Sequence, residues 1–214
     1  MKKQLTSLLT QIVQSDILHA KWLNTLSYLE NCGARKIAAC EHPTLVKEEM
    51  LKHASEEFRH SHYLKKQIKK VSSFYFPDFR LCSLLGRIST LQYLNKLDLL
   101  IARFLTKEPF LNKFKLKKTA YLLVTYAIEL RAQKLYSFYD QILRKHQSKV
   151  YVKSIILEEE HHLYEMEDGI KKLPLGEKYA KKARSFENAL FSKWIEDVEA
   201  DLSSHQVTGA EVVH

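Results

Sequence analysis

The sequence predicts an all-α protein built from helical hairpins, and three observations carry that prediction. In 214 residues, 45% of them hydrophobic, there are only 5 Gly and 4 Pro. That is too few turn-formers for a strand-rich fold, but enough apolar material for one complete core. Apolar residues recur at helical rather than alternating spacing through most of the chain. Glutamates and histidines then fall on these apolar stripes in four of the segments. A single domain over residues 1–202 is expected, followed by a flexible tail over residues 203–214.

The elements follow in order. Leu23, Leu26, Ala34 and Ile37 share one stripe of a first helix over residues 15–40, which ends at Glu41-His42-Pro43-Thr44. Thr44 is the candidate N-cap of a second helix, whose core face runs through Val46, Met50, Ala54, Ser61, Leu64 and Ile68. The two form a hairpin. Pro77 breaks the pattern within SFYFPD, and Asp78 can cap a crossover helix that continues to about Leu105. Lys107-Glu108-Pro109 ends it. A third bundle helix over residues 115–143 turns at Lys145-His146-Gln147-Ser148 into a fourth over residues 150–168, with Gly169 as the expected stop. After the break LPLGEK comes an additional C-terminal amphipathic helix over residues 179–202.

On these stripes the chain reads Glu30, then Glu57 with His60, then Glu129, then Glu159 with His162. One Glu-x-x-His pair means little by itself, and Glu211 with His214 in the tail is such an accident. Position on the helix decides. Stepping by helical spacing from Glu57 reaches Met50, His53, Ala54, His60 and Leu64, whereas Glu56 steps to Glu49, Lys52 and Arg59 and is expected to face water. Likewise Glu159 shares its stripe with Ile155, Ile156, His162 and Met166, while the overlapping pair Glu158 and His161 lies on a polar one. Glu30 sits among Leu23, Leu26 and Ile37, and Glu129 among Leu122, Tyr126, Ala132 and Tyr136. A carboxylate in such a stripe is costly to bury ionised unless a cation or hydrogen bonds compensate it. Gly33 with Ala34, and Ala132, leave room for a metal and an exogenous ligand. The midpoint between Glu30 and Glu57 falls at Pro43-Thr44 and that between Glu129 and Glu159 at Arg144, so both hairpins are expected to hold their carboxylates level.

A Glu from each of two helices plus a Glu-x-x-His from each of the other two is the ligand set of a dinuclear site in a four-helix bundle. Through EEFRH (residues 56–60), EEEHH (residues 158–162) and the single glutamates, residues 15–170 resemble the ferritin-like di-iron carboxylate superfamily. The resemblance implies a ferritin-like four-helix bundle of two hairpins, with Glu30, Glu57, His60, Glu129, Glu159 and His162 on two iron ions, manganese or a mixed pair being the alternative. It implies an oxidoreductase that activates dioxygen or peroxide, a hydroxylase (monooxygenase) or oxidase acting on an organic substrate with electrons from a separate reductase. His53, one turn before Glu57, is a candidate further ligand or hydrogen-bond partner. Tyr126 is a candidate second-sphere group, and Tyr136 a weaker one. The competing reading is a non-enzymatic iron-binding or helical interaction protein, and a homodimer is compatible with either.

Charge and cysteine usage bound the remainder. Cys32, Cys40 and Cys82 form no C-x-x-C pair, so neither a disulfide framework nor a rubredoxin-type module is expected. The N-terminal MKKQLTSLLTQIVQSD lacks the continuous apolar core of a signal peptide, and no stretch is apolar enough to span a bilayer. A cytoplasmic protein is expected. The net charge of +9 is concentrated in lysine clusters at residues 65–70, 113–118 and 171–184. With four glutamates neutralised on metal, the surface left is more basic still, which raises tRNA as an alternative substrate, since the superfamily includes a tRNA-modifying hydroxylase.

Overall fold

The apolar stripes become seven α-helices in the computed structural model, which describes residues 2–42, 44–73, 76–109 and 113–209. In order they are α1 (Lys2–Gln14), α2 (Asp16–Ala38), α3 (Glu48–Ile68), α4 (Arg87–Leu105), α5 (Lys113–Lys145), α6 (Lys153–Lys171) and α7 (Gly176–Gly209), with a 3-10 turn at Leu81–Ser83 before α4. No strand occurs among the described residues. The most extensive packing is α2 on α3 and α5 on α6, the two expected hairpins, while α4 and α7 pack on each other and on α5.

α1 is not among the predicted elements. Its Leu5, Leu8, Leu9 and Ile12 follow helical spacing and are buried against α2 and α5, each contributing about 2 kcal/mol of burial. Ser15 separates α1 from α2 and caps the latter, its hydroxyl accepting from the Leu18 N–H at 3.5 Å. One core cluster gathers Leu9, Trp22, Tyr139 and Trp194; a second, between α4, α5, α6 and α7, gathers Leu97, Ile101, Leu123, Met166 and Ala183.

Several local expectations are corrected. Thr44 does not cap α3, which starts at Glu48 with Lys47 at the cap position; the Thr44 N–H instead donates to His42 Nδ1. Asp78 does not cap α4 either. Its carboxylate accepts from the Arg80 N–H and the Ser83 hydroxyl, and α4 begins only after Gly86, which takes the left-handed φ of +69°. Gly169 lies inside α6. A Cβ there would come within 2.9 Å of Leu122 Cδ1, so this glycine permits close approach of α5 rather than ending a helix. The second hairpin turn is longer than predicted. α5 closes with Ser148 N–H on Leu143 O and Gln147 N–H on Arg144 O, Gln147 taking φ +51°. Val150 and Val152 are then buried before α6 begins. α7 passes the predicted end at Leu202 and reaches Gly209. Pro43, the 74–75 part of SFYFPD, and residues 210–214 of the tail, with Glu211 and His214, lie outside the described residues.

Candidate metal centre

Four helices deliver the predicted ligands to one place. Glu30 comes from α2, Glu57 and His60 from α3, Glu129 from α5, and Glu159 and His162 from α6. They fall into two groups that share Glu57: Glu30, Glu57, His60 and Glu159 in one, His53, Glu57, Glu129 and His162 in the other, each with its ligand atoms within 4.8 Å of one another. In the first, His60 Nδ1 lies 3.2 Å from Glu159 Oε1 and 3.8 Å from Glu57 Oε2. In the second, His162 Nδ1 lies 3.4 Å from Glu57 Oε1 and 3.8 Å from Glu129 Oε2. His53 turns its Nε2 into this second group, 3.0 Å from Glu129 Oε1 and 3.4 Å from Glu57 Oε1. One turn along α3 thus separates His53 from Glu57 and places both on the same centre.

Five of the inward atoms, Glu57 Oε1, His60 Nδ1, Glu129 Oε2, Glu159 Oε1 and His162 Nδ1, are buried and have no hydrogen-bond partner. Such atoms normally find partners, because leaving one unsatisfied costs about 1–3 kcal/mol. These five, divided between the two groups, are a donor set that could hold cations, and oxygen-rich donors with imidazoles suit iron or manganese. Four carboxylates also match two divalent ions in charge. The residues therefore fit a dinuclear metal site.

Electrostatics point the same way. Burial and the Glu57 carboxylate push Glu30 well above the ordinary carboxyl range, and burial with Glu129 and Glu57 does the same to Glu159. Burial acts upward on Glu57 and Glu129 as well, but is outweighed. The close approach of the His162, His53 and His60 imidazoles holds Glu57 well below its usual range, and that of Glu159, His162 and His53 brings Glu129 to about 2. Against their own burial, His53 is raised to about 9 and His162 to about 11 by Glu129 and Glu57, and His60 is raised by Glu57 and Glu158. Without a cation, these shifts favour protons on Glu30, on Glu159 and on the imidazoles.

A second ring of groups was partly misread from the sequence. Glu56, expected to face water, and Glu158, placed on a polar stripe, reach across to the facing helix instead. Glu56 Oε2 lies 2.8 Å from His162 Nε2, and Glu158 Oε2 lies 2.8 Å from His60 Nε2, with Arg59 donating to both Glu158 oxygens. Each EE motif thus supplies one carboxylate to the centre and one to the opposite motif's imidazole, holding Nε2 outward and Nδ1 inward. The signal was the doubled glutamate in both motifs. Tyr126 is corrected too: its hydroxyl accepts from Arg184 Nη1 at 2.9 Å, on the α7 side, and takes no part in the cluster. The tyrosine at the centre is Tyr136, whose hydroxyl donates to Glu30 Oε1. His161 is exposed and pairs with Glu165.

A cavity of about 480 Å³ borders the cluster, reaching Glu30, Glu57 and Glu129. Gly33 and Ala132 line it, whereas Ala34 is not among its lining residues; a Cβ on Gly33 would lie 3.9 Å from Glu57 Oε2. This accounts for the partial surface that Glu30 keeps although it lies as deep as its partners. Cys32, Cys40 and Cys82 are free thiols, and among the described residues no helix is long and apolar enough to cross a membrane. The chain matches no family model, no curated protein and no solved structure.

Proposed function

We propose that the protein is a ferritin-like, dinuclear-metal oxidoreductase, an oxygenase or oxidase that holds two iron ions, or manganese in one or both positions. The observation that carries this reading is the convergence of five unpartnered buried ligand atoms from three helices beside a cavity large enough for an organic molecule. When bound, the ions supply the reduction of dioxygen or peroxide and the transfer of its oxidising equivalent. The chain's own residues do the remainder. Glu57 serves both metal positions. Glu56 and Glu158 hold the protons of His162 and His60 away from the centre. Tyr136 orients Glu30 by hydrogen bonding to it. Leu26, Leu29, Ile128 and Leu135 exclude water from the cavity wall, and Gly33 and Ala132 keep the space beside the ligands open. A separate reductase would supply the electrons. A cavity of this size beside the ligands favours catalysis over iron storage or a purely structural metal, and its apolar wall favours a small organic substrate over tRNA.

Protein purified without added metal and then given ferrous iron tests the proposal. About two iron ions per chain and consumption of dioxygen are expected. A folded chain that takes up neither iron nor manganese, and consumes no oxygen with ferrous iron present, contradicts it.

A further inference from the structure

Outside the carboxylate cluster, the cavity's charges are compensated except at its mouth. Its lining includes Lys36, Asp98, Arg131 and Lys117 besides the cluster carboxylates. Lys36 pairs with Asp98. Arg131 forks onto Glu187 with two contacts of 2.8 Å and covers the Phe191 ring. Lys117 is exposed and has no ion pair among the described residues. The other solvent-exposed lining residue, Ala39, caps the C-terminus of α2, with half-buried Cys40 and Leu116 also in the lining. The cavity therefore opens between the end of α2 and the start of α5. Burial raises the Cys40 thiol, so no thiolate competes with Lys117 there. From Lys117 to Glu129 the rise along α5 is about 18 Å at 1.5 Å per residue, and the wall between them is formed by Ala120, Val124 and Ile128.

We infer that the cavity binds an elongated apolar molecule with one anionic headgroup, which Lys117 holds at the mouth while the apolar part extends inward to Glu30, Glu57 and Glu129. A single cation at the open end of an otherwise apolar or internally neutralised channel recognises a carboxylate or a phosphate, and it orients the molecule with the headgroup outermost. This substrate class rests on the reading of the cluster as a metal centre only in placing the inner end of the molecule at the reacting site. Binding itself depends on the cavity and Lys117.

Calorimetric titration of the full chain with decanoate, decyl phosphate and decanol, before and after removal of metal, tests the inference. At least one of the two anions is expected to bind about tenfold more tightly than the alcohol, and which of them binds better assigns the headgroup as carboxylate or phosphate. Lys117→Glu should erase that preference by weakening the anion and sparing the alcohol, and Ala120→Trp should weaken all three without unfolding the chain. Equal binding of anion and alcohol, an anion affinity untouched by Lys117→Glu, or no binding of any of the three by the folded chain would overturn the inference. Ligand binding that survives in a chain unable to hold metal would leave this inference standing and remove the metal-centre reading. Normal metal loading without ligand binding would do the reverse.

Discussion

His19 and His162 lie in the same helical bundle and are almost equally enclosed, yet their surroundings drive them in opposite directions. In the apolar layer, His19 stands near Trp22 and Tyr139, its Nε2 2.6 Å from the Tyr139 hydroxyl, and burial lowers it to about 4. In the carboxylate layer, His162 faces Glu57 and Glu129, which outweigh burial and raise it to about 11. The apolar layer leaves Trp22 Nε1 unpartnered but settles other polar atoms internally, Trp194 Nε1 donating to Thr90 Oγ1 for example. The carboxylate layer leaves six unpartnered, the five inward ligand atoms and His53 Nδ1. Equal burial with unequal satisfaction is what separates a packed core from a cluster that could hold cations.

The largest test of that contrast is Glu57→Gln. Because Glu57 belongs to both ligand groups, this near-isosteric change should lower metal affinity at both positions by at least about a hundredfold, read as metal per chain by elemental analysis. The corresponding change in the apolar layer, His19→Gln, should leave metal content unaltered. His53→Leu touches the second group alone. It should weaken one of two binding steps by about ten- to a hundredfold and spare the other, resolved by competition with a chelator. Two unchanged steps would return His53 to a purely structural role.

pH should separate the layers next. His19 has a folded value of about 4 against the ordinary 6.5, so its contribution is complete above pH 6.5 and fades as pH falls from 6.5 toward 4, costing about 3 kcal/mol in total. His53, at about 9, has the opposite sign in metal-free protein: its contribution is complete below pH 6.5 and is lost as pH rises toward 9. Glu129, at about 2, stabilises above its ordinary 4.5 and loses this as pH falls toward 2. Urea midpoints of metal-free protein should therefore decline on both sides of neutrality, with His19→Leu flattening the acid side between pH 6.5 and 4. The smallest expected effect is that of Tyr136→Phe. Losing the hydrogen bond to Glu30 should cost about 1 kcal/mol and weaken metal at the first group, whereas Tyr126→Phe, which breaks only the contact with Arg184, should leave metal affinity unchanged.

Much of the bundle was legible because its signal is periodic. Glu57 and Glu159 were separable from their neighbours by stripe alone, and the apolar residues around them predicted which face turns inward. The same test misjudged Glu56 and Glu158, since a stripe reports the angle at Cα while a glutamate on the flank can still reach across a groove to an imidazole on the facing helix. Tyr136 and Tyr126 illustrate a related limit. Both flank Glu129 at helical spacing, and only the placement of α7, with Arg184 on it, decides which of them points away. α1 carries a plain helical pattern in Leu5, Leu8, Leu9 and Ile12. Lys117 as a lone uncompensated cation was not visible either, because the pairing of Lys36 with Asp98 and of Arg131 with Glu187 joins residues far apart in the chain.

Crystals of the protein purified with iron, with anomalous diffraction recorded on both sides of the iron absorption edge, would test the central claim most directly. Two anomalous peaks are predicted in the carboxylate layer, one ringed by Glu30, His60 and Glu159, the other by His53, Glu129 and His162, with Glu57 shared between them. A peak-free cluster in iron-supplemented crystals, with Glu30 and Glu159 hydrogen-bonded as protonated acids to Glu57 and Glu129, would contradict it.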